Sequence, residues 1–348
     1  FIDLHVGLGE NSSSLYVSMT SPGVIFKNLI IVGSRVSEGN PAAKGNIRAF
    51  NANTGELVWV FKTIPEPEEK GYESYEDPNA YLRLGGANAW SGLTIDSKNG
   101  ILFAPTGSVS YDFYGGDRKG DNLFANSILA INAESGERLW HYQTVHHDVW
   151  DRDLPAPPVI FNYKLKDSVI PALAQVTKSG YTFLLNRITG EPIYDIVERT
   201  VPSVSSLTGE KLSKTQPTPT FPKPFSRQYL SNSDINPFVS EKEKDSLTKV
   251  YLSIIKDDIF SPPSEKGTLI FPGFDGGAEW GGPALDPIKN MLYVNSNEMP
   301  WILTMRKISE NDSKPVSLYN KQCLMCHGVD FKGSGENPSI IDMNKKYN

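Results

Sequence analysis

NANTGELVW (Asn51–Trp59) and NAESGERLW (Asn132–Trp140) are two copies of one pattern. An Asn opens it, a Gly follows four residues later, and a Trp closes it. NRITGEPIY (Asn186–Tyr194) is a third copy, and Asp96–Gly100 and Asp286–Asn290 are looser ones. Each copy follows a short apolar run such as Ile128–Ile131 and precedes another, such as Ile101–Phe103. Asn, Asp and Gly tolerate positive φ, so the pattern predicts a hairpin: strand, tight turn, strand.

The spacing says more than the hairpins. Trp59 and Trp140 lie 81 residues apart with the Asp96–Gly100 turn between them. Two units of roughly 40 residues fit a four-stranded propeller blade. A β-sandwich would carry similar hairpins, but sandwiches rarely repeat an aromatic at one fixed place per unit. The fold class is therefore all-β, a propeller of four-stranded W-shaped blades. The Pro-rich stretch 201–263 reads as a long surface loop, and Ser240–Lys256 is the one good helical candidate.

Composition bounds the function. The 348 residues suffice for a sizeable core, and 39% hydrophobic with 21% charged residues is ordinary for a globular protein. A net charge of -6 argues against a nucleic-acid partner. No apolar run reaches the ~18 residues of a transmembrane segment. The chain opens at Phe1 without an initiator Met and reads as an internal fragment.

A propeller alone implies no activity, so function must come from residues lining the central funnel. TVHHDVWDRDLPAPP (Thr144–Pro158) packs two histidines, three carboxylates, an arginine and a Trp into fifteen positions. It is either a stiffened polar surface loop or a site. Val149 and Trp150 favour the site, because they should bury part of the loop. A carboxylate beside them would then have a raised affinity for protons or cations. Lys178 sits in a turn, where lysine is usually solvated. Glu38 lies in a loop after the apolar strand Leu29–Val32. Trp90, flanked by Gly and Ala, has room beside its face for a flat ligand. Together they supply carboxylates for a metal, a cation and an aromatic plate.

In these residues the chain resembles the pyrroloquinoline quinone (PQQ) dehydrogenases, above all their glucose-dehydrogenase-like branch. The stretches that carry the resemblance are GSRVSEG (from Gly33), YDFYGGDRKGDNLFANSILAINAESGERLWHYQTVHHDVWDRDLPAPP (Tyr111–Pro158), TKSGYTFLLNRITG (from Thr177) and FPGFDGGAEWGG (from Phe271). The resemblance implies a propeller of about eight blades, of which residues 1–312 would supply half to two thirds. It implies PQQ and calcium as cofactors and a small-molecule sugar or alcohol as substrate. By the same resemblance, Asp151 is the general base, Lys178 the cation on the quinone oxygens and Glu38 a calcium ligand. Trp90 would be the aromatic floor, with Thr20 and Asn295 further polar PQQ contacts. Ser108 stands where relatives carry a metal-binding Asn, and a hydroxyl is the weaker ligand for calcium. Rival readings are a polyol dehydrogenase on the same machinery and a non-catalytic scaffold propeller.

CLMCHG (Cys323–Gly328) holds the only two cysteines. Cys323-x-x-Cys326-His327 is the haem c attachment pattern, with His327 as proximal iron ligand. Residues 313–348 are thus expected to begin an α-helical cytochrome c domain. Met343, 16 residues past His327, is too close for the second axial ligand. Haem c and the family resemblance together imply the periplasm. They also imply a downstream electron acceptor: a cytochrome, quinone or oxidase.

Overall fold

A computed structural model describes residues 2–289, 291–307, 319, 323–328, 330–333, 337–341 and 343. The side chains of Glu10, Asn11, Met325 and Cys326 lie outside that description. The chain divides into two compact units, Phe1–Thr304 and Met305–Asn348. The expected boundary at 312/313 falls outside the described residues.

The repeated turns form as their sequences predict. Asn51 Oδ1 accepts the backbone N–H groups of Asn53 and Thr54 at 2.9 and 3.2 Å. Asn132 does the same for Glu134 and Ser135, and Asn186 for Ile188 and Thr189. In each turn the Gly adopts positive φ: 77° at Gly55, 78° at Gly136 and 79° at Gly190. Asp96 and Asp286 build looser versions with their own carboxylates.

Two antiparallel four-stranded sheets result. The first runs Val24–Phe26, Leu29–Val32, Ile47–Asn51 and Leu57–Phe61 in spatial order. The second runs Thr94–Asp96, Ile101–Pro105, Ser127–Asn132 and Arg138–Gln143. A third sheet has three strands, Val159–Leu165, Ser168–Val176 and Thr182–Asn186. It thus departs from the expected four. Smaller two-stranded sheets follow, and none of the sheets closes on itself.

Side-chain alternation explains the stacking. In the second sheet Ile101, Phe103, Ile128 and Ala130 face the third sheet, packing with Leu173, Phe183 and Leu185. Leu102, Ala104, Leu129 and Ile131 face the first sheet, packing with Ile31, Ile47 and Ala49. Both faces are buried, so these strands read as continuous apolar runs.

The Trp of each copy joins one blade to the next. Trp59 Nε1 donates to the Ala133 carbonyl at 3.3 Å, and a Cβ on Gly136 would lie 2.7 Å from Trp59 Cδ2. Trp140 Nε1 donates to the Arg187 carbonyl at 3.2 Å, and a Cβ on Gly190 would lie 2.6 Å from Trp140 Cδ2. The ring therefore lies flat against the next blade's turn glycine. In the third copy Tyr194 replaces Trp and packs instead on Phe221, with ring centroids 4.6 Å apart.

The Pro-rich stretch is not a featureless surface loop. Its strand Thr215–Pro219 pairs with Ile196–Thr200, and Pro217 and Pro219 are tolerated because this is a two-stranded edge pairing. Gln216 is fully buried and clamps His146 through both backbone groups at 2.8 Å. Helix Glu241–Ser253 forms as expected, capped by reciprocal Ser240–Glu243 hydrogen bonds.

The Trp–Gly contact has a measurable cost when blocked. Gly100 also has positive φ, but a Cβ there meets nothing nearer than 3.4 Å. Gly100→Ala should cost only left-handed strain, about 1 kcal/mol. Gly136→Ala and Gly190→Ala should each cost about 2–4 kcal/mol, strain plus overpacking against the indole. Denaturant midpoints of the three variants check the ordering.

Candidate active site

In an antiparallel blade the Asn–Gly turns occupy one end. Segments leaving the second and fourth strands emerge at the other end. Glu38 follows the strand Leu29–Val32, Ser108 follows Ile101–Pro105, Asp151 follows Arg138–Gln143, and Lys178 follows Ser168–Val176. All four line one cavity of about 520 Å³, counting its open mouth, together with Trp90.

Asp151 and Lys178 form its centre. Lys178 Nζ lies 2.8 Å from Asp151 Oδ1 and 2.9 Å from Oδ2, and 5.9 Å from the Trp90 ring centre. Lys178 is only 7% exposed, unlike an ordinary turn lysine. The glycines of FPGFDGGAEWGG explain how. Gly277 N–H donates to the Lys178 carbonyl at 2.7 Å, and a Cβ on Gly276 would lie 2.5 Å from Lys178 Cγ. Only a glycine loop can lie this close along the lysine stem. Asp151 itself is held at φ 56°, a conformation uncommon outside glycine, between the fully buried Trp150 and Arg152.

Burial raises the proton affinity of Asp151 well above the usual carboxylate range. Lys178 pulls it down, and the neighbouring Asp153 and Asp148 push it up. Burial alone would favour a neutral Lys178 amine, but Asp151 and Asp153 outweigh it and keep the ammonium charged. Lysine has three N–H donors, so one remains for a ligand after the two spent on Asp151.

Trp90 is oriented from both ends. Its indole Nε1 donates to Asp153 Oδ2 at 2.7 Å, and its carbonyl accepts from Thr20 Oγ1 at 2.9 Å. Asp153 Oδ1 in turn accepts from Ser108 N–H at 2.7 Å and Ser108 Oγ at 3.0 Å. Ser108 Oγ shares its single proton with Asp148, 2.5 Å away, and Asn126 supports that carboxylate at 2.8 Å.

The site residues expected from sequence divide into three groups. Glu38, Trp90, Ser108, Asp151 and Lys178 meet in the cavity. Thr20 lies in a separate small hollow that Trp90 also lines, and Asn295 is exposed; neither lines the cavity. His146 and His147 also stay outside it. His147 pairs with Glu210 at 2.8 Å, both side chains 1% exposed, and so ties the Pro-rich stretch to this turn. Asp112, Asp153 and Arg35 line the cavity without having been singled out from sequence. Asp153 sits two residues from Asp151 in a stretch already marked as acidic. Nothing local distinguishes Asp112 or Arg35 from surface residues.

The donor set suits a cation only with outside help. Glu38 is exposed, with 63% of its side chain accessible and Arg35 3.5 Å away. Among the described residues no three His, Cys, Asp or Glu side chains converge to hold a metal. A calcium ion between Glu38, Ser108 and Asp151 would need oxygens from a bound ligand to complete its shell.

In the second unit, helix Leu324–His327 carries the Cys-x-x-Cys-His motif. His327 Nδ1 donates to the Pro338 carbonyl at 2.9 Å, which leaves Nε2 as the free lone pair. Cys323 is partly buried, and Tyr319 packs on Phe331 with ring centroids 4.5 Å apart. Met343 is partly exposed, and the Cys326 side chain lies outside the described residues.

The buried pair should respond to removal of its cation. Lys178→Met leaves the Asp151 carboxylate uncompensated and should destabilise the protein by about 3–5 kcal/mol at neutral pH. Without its partner Asp151 is raised still further. The neutral acid is then the tolerated form, and the deficit should shrink as pH falls and grow as pH rises through the folded-state pKa. Adding Asp151→Asn should recover most of the loss at neutral pH. Denaturation of the single and double variants at two pH values checks this.

Comparison with known proteins identifies the family. The model of the PQQ family "Glucose/ethanol/alcohol dehydrogenase, beta-propeller domain" matches residues 1–331. The chain is 33% identical over 320 residues to the quinate/shikimate dehydrogenase (quinone) of Acinetobacter baylyi, covering 89% of this chain and 38% of that protein. It is 35% identical over 305 residues to quinoprotein glucose dehydrogenase A of Acinetobacter calcoaceticus, covering 81% and 36%. It therefore spans less than two fifths of the length of these relatives. The crystal structure of quinohemoprotein alcohol dehydrogenase from Comamonas testosteroni shares the fold, with a TM-score of 0.59 at 21% identity, covering 84% of this chain and 39% of that one. On the match over residues 1–331 and the relatives above 30% identity, the chain belongs to the β-propeller family of PQQ-dependent glucose, ethanol and alcohol dehydrogenases.

Proposed function

We propose that this chain forms the catalytic core of a periplasmic quinohaemoprotein dehydrogenase that oxidises a hydroxyl of a sugar, polyol or alcohol to a carbonyl. The observation that carries the reading is the buried Asp151–Lys178 pair beside the Trp90 face, in one cavity. PQQ bound there supplies a two-electron acceptor for hydride. Asp151 takes the hydroxyl proton, as a carboxylate held within hydrogen-bond reach of the substrate can. Lys178 offers its remaining N–H to the cofactor's oxygens, where negative charge develops. Trp90, clamped through Asp153 and Thr20, presents a fixed aromatic face for stacking. Glu38, Ser108 and Asp151 supply protein oxygens for calcium. Thr20 would then support the cofactor through Trp90, and Asn295 by a contact made outside the cavity described.

The same proposal assigns haem c to Cys323 and Cys326, with His327 as axial ligand. The His327–Pro338 hydrogen bond supports it, because it directs Nε2 to act as the ligand atom. Haem would accept the electrons singly and pass them to a cytochrome, quinone or oxidase.

Two experiments test the reading on the full-length gene product loaded with PQQ and calcium. Asp151→Asn keeps the shape but cannot accept the proton. PQQ should stay bound while turnover falls at least ~10²-fold. Unchanged turnover would remove Asp151 from the chemistry. In stopped flow, substrate should reduce the haem at a rate independent of protein concentration, as a tethered relay requires. A rate proportional to concentration would mean that electrons leave by collision between molecules.

A further inference from the structure

Among the described residues, buried carboxylates around the cavity have partners, with one exception. Asp151 has Lys178, and Asp153 has Trp90 and Ser108. Asp148 has Ser108, Asn126 and the backbone N–H groups of Trp150 and Arg152. Asp112 is 5% exposed, lines the same cavity, and has no hydrogen-bond or ion-pair partner among the described residues. Its oxygens are not among the fully buried unpartnered atoms of the described residues, so they open onto the cavity, where an occupant can meet them.

Asp112 is not left unpartnered by a loose loop. Ser110 Oγ donates to the Ser37 carbonyl at 2.8 Å. Tyr114 Oη donates to the Thr208 carbonyl at 2.7 Å, and Gly115 N–H to Glu210 at 2.6 Å. Arg118, fully buried, binds the carbonyls of Tyr111 and Asp148 at 3.1 and 2.5 Å. Phe113 packs on Tyr111 and Phe274. A rigid frame thus holds the carboxyl at the cavity wall, which is how a recognition group is preorganised.

The group it suits is a hydroxyl. A carboxyl accepts a hydrogen bond from a hydroxyl in either protonation state. A neutral carboxyl donates one hydrogen bond and accepts others, as a hydroxyl does. Asp151 already serves the oxidised hydroxyl in the proposed reaction. We propose that Asp112 recognises a second hydroxyl of the substrate, on a carbon other than the one oxidised, and so selects polyhydroxylated substrates. This inference rests on the reading of the cavity as a site of hydroxyl oxidation.

The test uses the full-length holoenzyme, its best sugar or polyol substrate, and analogues each lacking one hydroxyl. Asp112→Ala should raise KM about 10–100-fold with kcat within about threefold, the scale of one buried hydrogen bond. One deoxy analogue should lose the same factor with the native enzyme and nothing further with the variant, since the two deletions remove one contact. Asp112→Asn, which still donates and accepts, should recover most of the affinity and serves if the Ala variant does not fold. Bound PQQ and calcium should be unchanged in both. Loss of either cofactor at intact fold would make Asp112 a support of the metal and overturn the proposal. So would equal losses across all analogues, or a variant no different from native. A native holoenzyme inert toward every hydroxylated substrate would overturn the proposed function itself, and this inference with it.

Discussion

One aromatic ring lying on one glycine sets the geometry on which the rest depends. Trp59 covers Gly136 and Trp140 covers Gly190, each indole also donating to a backbone carbonyl in the turn it covers. A contact of that kind has little tolerance. The hydrogen bond sets direction, and the missing Cβ sets distance. It fixes the offset between neighbouring blades at their turn ends. The apolar strands then bury both faces in register, with Phe103 turned to one neighbour and Leu102 to the other. Once the blades are stacked, the segments at the opposite ends of the sheets must converge.

Those segments carry an excess of negative charge into a confined space. Glu38, Asp112, Asp151 and Asp153 share the cavity with Lys178 and Arg35. In water such a group would simply ionise and hydrate. Here burial raises proton affinity at Asp112 and Asp151, while Asp151 and Asp153 keep Lys178 charged against its own burial. That imbalance favours a cation and hydrogen-bond donors within the cavity.

The Pro-rich stretch shows how a connection can serve the site without touching the ligand. Gln216 clamps the backbone of His146, and Glu210 binds His147 and the N–H of Gly115. Two cavity-lining segments, the one ending in Asp151 and the one carrying Asp112, are thereby braced from outside. His146 and His147 brace the frame and stay outside the cavity.

Local chemistry was enough for the elements. The Asn-to-Gly turns, the apolar runs and the Ser240 cap each depend on residues within a few positions of one another, so their meaning is carried by the sequence itself. The same holds for the burial around Asp151, which stands next to a Trp and a Val that had to be buried. Family resemblance added the partnership of Glu38, Trp90, Ser108 and Lys178, which no spacing reveals. What tertiary structure alone decided was orientation and pairing across long stretches of chain. It placed Lys178 on Asp151 across 27 residues and Asp153 on the Trp90 indole across 63. It tied Thr20 to the Trp90 carbonyl, left Asn295 outside the cavity, and left Asp112 facing it without a partner among the described residues. A carboxylate's burial and its nearest donor depend on how distant blades stack, and that stacking is the sum of many weak contacts that no short window of sequence contains.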